Sequence, residues 1–150
     1  MPAPMADDDQ PPLIAIDDRQ TDAVDVGGLR ALARECLVGE GVVDAELSIS
    51  FVTEDEIADL HRRYLQQDGP TDVLSFPLDD EAGEDGLRML GDVVISPAVA
   101  ARNNPDDPGS ELRLLLVHGI LHLLGHDHME QEDRATMWAR QERYSGVRVR

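Results

Sequence analysis

A run of apolar residues in the second half of the chain constrains the fold more than any other feature. Between Glu111 and Leu124, apolar positions cover most of the circumference of a helix. A helix that is apolar all round has no face for solvent, so we expect it to be buried at the centre of the molecule. The rest of the chain must then surround it.

The end of this helix carries a cluster of histidines. Residues 118–128 read HGILHLLGHDH and hold four of the five histidines of the chain. His118 and His122 are four positions apart, so both imidazoles lie on one face and can reach a single metal ion. Gly125 is placed to end the helix in a left-handed conformation. The returning chain then allows His128 to supply a third nitrogen.

Three neutral imidazoles predict a catalytic metal site. A zinc ion with three protein ligands keeps one open position, where a bound water can lose a proton near pH ~7. His126 is an alternative third ligand, but its shorter reach past Gly125 favours His128. Asp127 is a candidate to orient a ligand imidazole, with an ordinary turn carboxylate as the alternative. Imidazoles also suit nickel, copper and iron, so the identity of the metal stays open.

The ligand spacing resembles the metzincin pattern HExxHxxGxxH, with one departure. Gly119 stands where metzincins have the glutamate that serves as general base. Peptide hydrolysis therefore lacks its usual base, and a metallopeptidase of the zincin type is kept as an alternative. The proton acceptor stays unidentified. The candidate catalytic groups are the zinc-bound water, Arg63 and Asp127.

Length and composition favour one domain. The chain has 150 residues, of which 41% are hydrophobic, enough for a sizeable core without disulfides. We expect a disordered acidic tail over residues 1–12, a single domain over 13–145 and a frayed end over 146–150. Cys36 lies in an apolar pattern, which indicates a packed thiol in a reducing compartment. With no signal sequence or membrane span visible, we expect a cytoplasmic protein.

The charge is strongly acidic. The formal net charge is −18, and all thirteen basic residues are arginines. Such a field repels polyanions, so the unaided affinity for a phosphate backbone should be low. If the substrate is a nucleic acid, a docking partner is therefore expected.

Hydrophobic periodicity and turn residues predict an alternation of strands and helices. Thr53 and Glu56 form a capping box at the start of the second helix. Residues 79–90 are predicted to be an acidic loop. The predicted strands are 13–16, 46–52, 71–77 and 91–96, and the predicted helices are 22–38, 53–67, 96–104, 111–124 and 131–144.

The strand at 71–77 has two interpretations. In the favoured one, Val73, Leu74 and Phe76 face the core, while the polar residues Thr71, Asp72 and Ser75 alternate outward. In the other, the polar residues shape a substrate groove near the metal. Asp92 in the next strand has the same ambiguity, and a structural role is favoured.

Three segments together resemble the YbeY family of bacterial endoribonucleases and ribosomal RNA maturation factors. They are LHRRYLQQDGPTDVLSFP at 60–77, GDVVIS at 91–96 and HGILHLLGHDH at 118–128. They occur in the family's order, and the resemblance covers roughly residues 13–145. It implies an α+β fold in which a small mixed four-stranded sheet packs with helices around a central zinc-bearing helix, similar to zincins.

The resemblance also implies an activity. His118, His122 and His128 match the family's three zinc ligands, which implies one Zn2+ ion per chain. The implied function is a zinc-dependent, single-strand-specific endoribonuclease in ribosomal RNA maturation, at the 3′ end of 16S rRNA, and in ribosome quality control. Its implied partners are RNA and a ribosomal protein or assembly factor. A second alternative is a non-catalytic ribosome assembly factor whose zinc is structural.

One family feature is missing. After the tyrosine of the motif, here Tyr64, the family often has an arginine tied to activity, whereas this chain has Leu65. Arg62 or Arg63 could substitute for it, although exposed helix charge is the favoured interpretation. The family asparagine near the start of the motif is His61 here. We interpret His61 as a surface histidine rather than a fourth site group.

Overall fold

The computed structural model describes residues 10–65, 71–78, 86–125 and 139–146. Residues 139–145 are helical and are called the C-terminal helical segment below. Predictions for residues 1–9, 126–138 and 147–150 lie outside the described residues. The other elements, in chain order, are β1 (Leu13–Asp18), α1 (Val26–Gly39), β2 (Ala45–Phe51), α2 (Glu54–Leu65), β3 (Val73–Pro77), β4 (Arg88–Ile95), α3 (Pro97–Asn103) and α4 (Pro108–Leu123).

The described strands form one mixed sheet in the order β1-β2-β4-β3. β2 pairs in parallel with both β1 and β4, while β3 runs antiparallel to β4 at the edge. Each parallel pair needs a crossover, and α1 supplies the one between β1 and β2. The prediction of an α+β fold with a mixed four-stranded sheet is therefore confirmed within the described residues.

The two faces of the sheet carry different helices. Leu47, Ile49 and Val93 belong to the main core, which includes the buried residues of α1 and α4. Leu74 and Val94 are the next residues along their strands after Val73 and Val93, which pack in the main core. Leu74 and Val94 pack instead with Ile57 of α2 in a smaller cluster. Because successive strand residues point to opposite faces, α1 and α4 cover one face and α2 covers part of the other.

The helix α4 is central, as its apolar pattern predicts. It contacts α1, α3, β3 and β4. It begins at Pro108, three residues earlier than predicted, because Asp107 caps it: the Asp107 carboxylate accepts from the Ser110 amide at 3.2 Å and from the Ser110 hydroxyl at 2.6 Å. Gly125 follows its end with a φ of 94°, as expected of a left-handed helix stop. Its buried residues are Leu112, Leu115, Leu116, Val117, Gly119, Ile120 and Leu121.

The start of β4 was predicted wrongly. The strand begins at Arg88, inside the segment 79–90 that was predicted to be a loop, and residues 79–85 lie outside the described residues. Arg88 pairs with Ala45 of β2, and the register then shifts next to Gly91, whose φ is 138°. In this extension Leu90 is buried, whereas Met89 is 38% exposed. We infer that backbone pairing with β2, and not the hydrophobicity of these residues, extends the strand.

The orientation of Ser75 was also predicted wrongly. Its hydroxyl donates a hydrogen bond to the carbonyl oxygen of Gly119 at 3.1 Å, so Ser75 faces α4 and not solvent. A polar side chain can occupy this inward position because the helix carbonyl satisfies it. The other expectations for this strand hold, since Leu74 is buried and both Val73 and Phe76 pack against core clusters.

The start of the domain is anchored to α1. Arg34 donates to the carbonyl oxygen of Pro12 at 2.9 Å, and Pro12 is buried, a contact that the predicted tail did not include. α1 begins at Val26, later than predicted, because the Asp25 side chain accepts from the amide of Gly28 at 3.1 Å and caps the helix there.

Among the described helices, none combines the length and apolar character that crossing a bilayer requires.

Candidate metal centre

His118 and His122 lie side by side at the end of α4. Their ring centroids are 4.5 Å apart, with an angle of 65° between the ring planes, and both side chains are half-buried. This is the arrangement expected of two residues one helical turn apart. The described structure therefore brings two of the three predicted ligands together on one face of a buried helix.

Gln141 fixes the orientation of His118. The side-chain oxygen of Gln141 contacts Nδ1 of the imidazole, and Gln141 is only 3% exposed. A carbonyl oxygen can only accept, so the tautomer that satisfies this contact carries its proton on Nδ1 and its lone pair on Nε2. An imidazole held through one nitrogen with the lone pair on the other is in the form that binds a metal.

A buried polar network holds Gln141 in place by docking the C-terminal helical segment on α1. The Tyr144 hydroxyl donates to a carboxylate oxygen of Glu40 at 2.7 Å, and Arg140 forms an ion pair with the same oxygen. The Glu40 side chain is only 5% exposed. Gly39 makes room for this contact, since a Cβ at position 39 would lie 2.6 Å from Cε1 of Tyr144.

Burial raises the pKa of two acidic groups of this region. Desolvation, followed by the hydrogen bond to Glu40, raises the pKa of the Tyr144 hydroxyl to about 12. Desolvation, followed by the charges of Glu40 and Glu35, raises the pKa of the Cys36 thiol to about 12. Cys36 is fully buried, which confirms the predicted packed thiol. Both groups stay neutral at neutral pH, so Glu40 faces no additional negative charge from them.

Gly119 allows α4 to approach the sheet closely. A Cβ at this position would lie 2.7 Å from Cγ1 of Val93 and 3.3 Å from the Ser75 hydroxyl. The first distance is too short for real carbon atoms, so a side chain at 119 would require Val93 or the helix to shift. The missing glutamate of the metzincin pattern is thus explained by packing as well as by chemistry.

The third predicted ligand cannot be placed. His128, its alternative His126 and the orienting candidate Asp127 lie outside the described residues. Within the part of the chain that is described, no group of three His, Cys, Asp or Glu side chains is arranged to hold a metal ion. The complete ligand set therefore stays a prediction.

The two arginine candidates lie on the opposite side of the sheet from α4. Arg62 and Arg63 are on the last turn of α2 and pair with Asp59 at 2.8 and 3.4 Å. Their side chains are 65% and 61% exposed, in keeping with exposed helix charge. Leu65, at the position of the family arginine, is 50% exposed.

The remaining polar candidates are Asp72, Asp92 and His61, and the structure shows what the first two contact or pair with. Asp72 accepts from the side-chain amide of Asn103 at 3.3 Å, which ties the start of β3 to α3. Asp92 lies within β4, where its register partners are Ser48 and Phe76. Both placements fit the structural interpretation. His61 is half-buried on α2.

Sequence reasoning missed Gln141 and Glu40, and it favoured the wrong orientation for Ser75. Gln141 comes from 23 positions beyond His118, and no spacing rule links the two. Glu40 follows α1 and reads as a surface carboxylate until Tyr144 and Arg140 cover it. Ser75 follows the alternation of its strand, and only the position of α4 shows that its side faces inward.

A mixed sheet that backs a buried helix ending in a histidine pair defines an α+β protein with a candidate metal centre at its core helix. Residues 15–146 match the family model described as endoribonuclease YbeY. The chain belongs to the YbeY family, which confirms the resemblance found in the sequence.

Individual relatives and a solved structure agree with this assignment. The relatives are named endoribonuclease YbeY. The Frankia alni protein is 46% identical over 127 residues, covering 77% of this chain and 70% of the relative. The Salinispora tropica protein is 42% identical over 134 residues, covering 80% and 85%. The solution structure of TM1509 from Thermotoga maritima superposes with a TM-score of 0.59 at 31% identity, covering 89% of this chain and 87% of that one.

Proposed function

We propose that this protein is a metal-dependent endoribonuclease that cuts single-stranded RNA, with one Zn2+ ion held by His118, His122 and His128. Membership of a family named for endoribonucleases supports the reaction class. The observation that carries the metal site is the histidine pair of α4, in which His118 is oriented by Gln141.

The donor set fits a divalent transition metal. The Gln141 contact favours the tautomer of His118 whose lone pair is on Nε2, and the neighbouring imidazole of His122 lies one turn further along the same buried helix. When bound, such an ion supplies Lewis-acid polarisation of a phosphoryl oxygen and activation of water. His128, the predicted third donor, would complete a set of three imidazoles that leaves one position of the ion open for substrate.

Position 119 of α4 leaves the site without the general base of the metzincin pattern. Position 119 carries no side chain, so it offers no proton acceptor, and a side chain placed there would clash with Val93 unless the packing shifted. Proton removal would then fall to the water that the metal activates, to the substrate phosphate or to another side chain. The packing of Gly119 against the sheet fixes the depth of the helix and, with it, the position of the two imidazoles.

We further infer that the substrate is ribosomal RNA, including the 3′ end of 16S rRNA, in maturation and quality control. The family resemblance supports this substrate. The net charge of −18 supports a ribosomal protein or assembly factor as a docking partner, because the protein alone should bind a phosphate backbone weakly. Tight binding of the isolated protein to RNA at physiological salt would contradict the need for that partner.

A zincin-type peptidase is the competing function, and it is motivated by the ligand spacing. The test is to incubate the zinc-loaded protein separately with single-stranded RNA and with an unfolded protein. We expect RNA cleavage and an intact protein substrate. Proteolysis with intact RNA would reverse the assignment.

The metal site is tested by elemental analysis of the wild type beside a variant that lacks His118, His122 and His128. We expect one zinc per chain in the wild type, none in the triple variant, and RNA cleavage only in the former. His61→Ala is the matched control, since it removes a histidine from α2 and should leave the metal content unchanged. Equal metal content in wild type and triple variant would contradict the proposed ligands.

A structural zinc predicts a different pattern. If the metal only stabilised the fold, His118→Ala would unfold the chain, or a folded metal-free protein would retain full function. The proposal instead expects His118→Ala to keep its circular dichroism spectrum and lose RNA cleavage. The buried apolar side chains of α4 support this expectation, because they stabilise the helix independently of the histidines.

A further inference from the structure

Two aromatic side chains form an exposed surface beside the edge of the sheet. The rings of Tyr64, at the end of α2, and Phe76, in β3, meet edge to face with centroids 5.6 Å apart and an interplanar angle of 72°. We call this pair the aromatic platform. Phe76 packs against the cluster around Leu74 and Val94, so it is anchored, whereas Tyr64 is 60% exposed. An anchored ring thus holds an exposed one.

A positive charge accompanies the aromatic platform. The guanidinium of Arg63 lies 5.7 Å from the centre of the Tyr64 ring. Arg62 and Arg63 share one carboxylate, that of Asp59, so this turn of α2 keeps a net positive charge in a chain whose net charge is −18. Both ion pairs are exposed, and exposed pairs contribute little, so either arginine can exchange its partner for a phosphate.

The chemistry of this surface matches a nucleobase with its phosphate. Proteins bind single-stranded nucleic acid by stacking bases on exposed aromatic rings next to arginines that contact the backbone. Leu65, the residue after Tyr64, is itself 50% exposed. A base can stack against this surface without any demand on its identity.

The edge strand β3 connects the aromatic platform to the histidine pair. Ser75, immediately before Phe76, hydrogen-bonds the carbonyl of Gly119, the residue after His118. Leu78, two residues after Phe76, lines a cavity of about 380 Å³ together with the end of α4 at residues 123–125. Because β3 is the edge strand, the aromatic platform and α4 lie on the two faces of the same sheet edge.

We propose that the aromatic platform of Tyr64 and Phe76, with Arg63, is a base-stacking subsite that holds a nucleotide of the single-stranded RNA away from the metal centre. The inference rests on the proposed endoribonuclease function and adds a binding site to it. Tyr64 binds the base, and Phe76 positions Tyr64.

The test measures binding of full-length, metal-free protein to two labelled RNA oligonucleotides of equal length, one with all its bases and one abasic. Fluorescence anisotropy at low salt gives both affinities. The wild type should prefer the RNA with bases. Tyr64→Ala should weaken binding of that RNA by about 5- to 150-fold, the effect of ~1–3 kcal/mol per stacked base, and should bind the abasic RNA as the wild type does.

Tyr64→Trp and Val38→Ala serve as controls. Tyr64→Trp keeps a stacking surface, so it should retain the preference for bases. Val38→Ala truncates an apolar side chain that is 51% exposed on α1, away from β3, and should bind both RNAs as the wild type does. Circular dichroism melting of each variant checks that the fold is intact.

Two outcomes overturn the base-stacking subsite. One is that Tyr64→Ala binds the RNA with bases as tightly as the wild type while the zinc-loaded wild type cleaves RNA; the proposed function then stands without the subsite. The other is that Tyr64→Ala loses affinity for a ribosomal protein but not for RNA, which would make this surface a protein-docking site. Failure of the zinc-loaded wild type to cleave RNA would instead reject the proposed function itself.

Discussion

At the scale of single residues, the absence of a side chain at Gly119 is as important as the presence of the histidines beside it. The close approach of α4 to Val93 and Ser75 depends on that absence. The same substitution that would give the site a peptidase-like base would disturb the helix that carries the ligands. Packing and chemistry therefore point in the same direction at this position.

Gly119→Ala should destabilise the protein despite the better helix propensity of alanine. Overpacking costs about 1–3 kcal/mol, which exceeds the gain of ~1 kcal/mol from replacing a helical glycine. Chemical denaturation measures the free energy of unfolding. The double variant Gly119→Ala/Val93→Ala should be less unstable than the sum of the single effects, because the first atom that the new Cβ meets is gone.

Gly109→Ala is the matched control in the same helix. A Cβ there would meet only the Asp107 carboxylate, at 3.7 Å, which is an ordinary contact. Its free energy of unfolding should be unchanged or higher. A Gly119→Ala variant as stable as the Gly109→Ala variant would show that α4 is not held as close to the sheet as described.

Gln141 should control metal affinity through His118. Gln141→Leu removes the acceptor for Nδ1, and loss of such a partner typically lowers metal affinity by about 10- to 100-fold. Gln141→Glu keeps an acceptor at the same place and should restore most of the affinity. Competition with a zinc-binding dye measures both variants, and equal affinity of Gln141→Leu and wild type would remove Gln141 from the site.

At the scale of elements, α4 is a helix whose start and end are each defined by a single residue. Asp107 caps its first turn, and Gly125 follows its last. The two hydrogen bonds from Ser110 lower the pKa of the Asp107 carboxyl, with the side-chain bond as the larger cause. The charged carboxylate is thus the form that stabilises the helix start.

Asp107→Ala should lower the melting temperature, and the loss should depend on pH. A carboxyl whose pKa is lowered on folding stabilises above its ordinary pKa of ~4 and ceases to do so as the pH falls through the lowered value. The difference from wild type should therefore be largest at neutral pH and shrink in acid. Asp106→Ala is the control, and an equal loss in both variants would contradict the capping role.

The elements that could be predicted from the sequence are those with a hydrophobic periodicity within their own residues. β2 alternates and α4 is apolar all round, so local periodicity was sufficient for both. The start of β4 could not be predicted in this way, because its pairing with β2 is a long-range property. The contact of Gln141 with His118 is likewise long-range and carries no local signature.

At the scale of the whole molecule, the C-terminal helical segment packs on α1 around two buried groups, the Cys36 thiol and the Tyr144 hydroxyl. Their protonated forms are the ones that stabilise the folded protein. The pKa values of Cys36 and Tyr144 are both raised to about 12, mainly by burial. A group whose pKa is raised on folding stabilises below its unfolded pKa and loses that effect as the pH rises towards the folded value. The protein should therefore lose stability in alkali.

The free energy of unfolding should begin to fall near pH 9, the ordinary pKa of a cysteine thiol, and should fall more steeply between about pH 10, the ordinary pKa of tyrosine, and pH 12. Tyr144→Phe removes the titrating hydroxyl, so its stability should fall less over this range, although it starts lower because the bond to Glu40 is lost. Urea unfolding at a series of pH values measures both proteins. Identical pH dependence would show that Tyr144 is not buried against Glu40.

The central claim is that the imidazoles at the end of α4 hold the metal that makes the protein a ribonuclease. It is tested most directly by adding Zn2+ stepwise to metal-free protein while the rate of cleavage of a single-stranded RNA is followed, for the wild type and for His122→Ala. We expect the wild-type rate to rise until one ion per chain is bound and the folded His122→Ala protein to stay inactive throughout. Full cleavage by metal-free wild type, or by His122→Ala, would contradict the account.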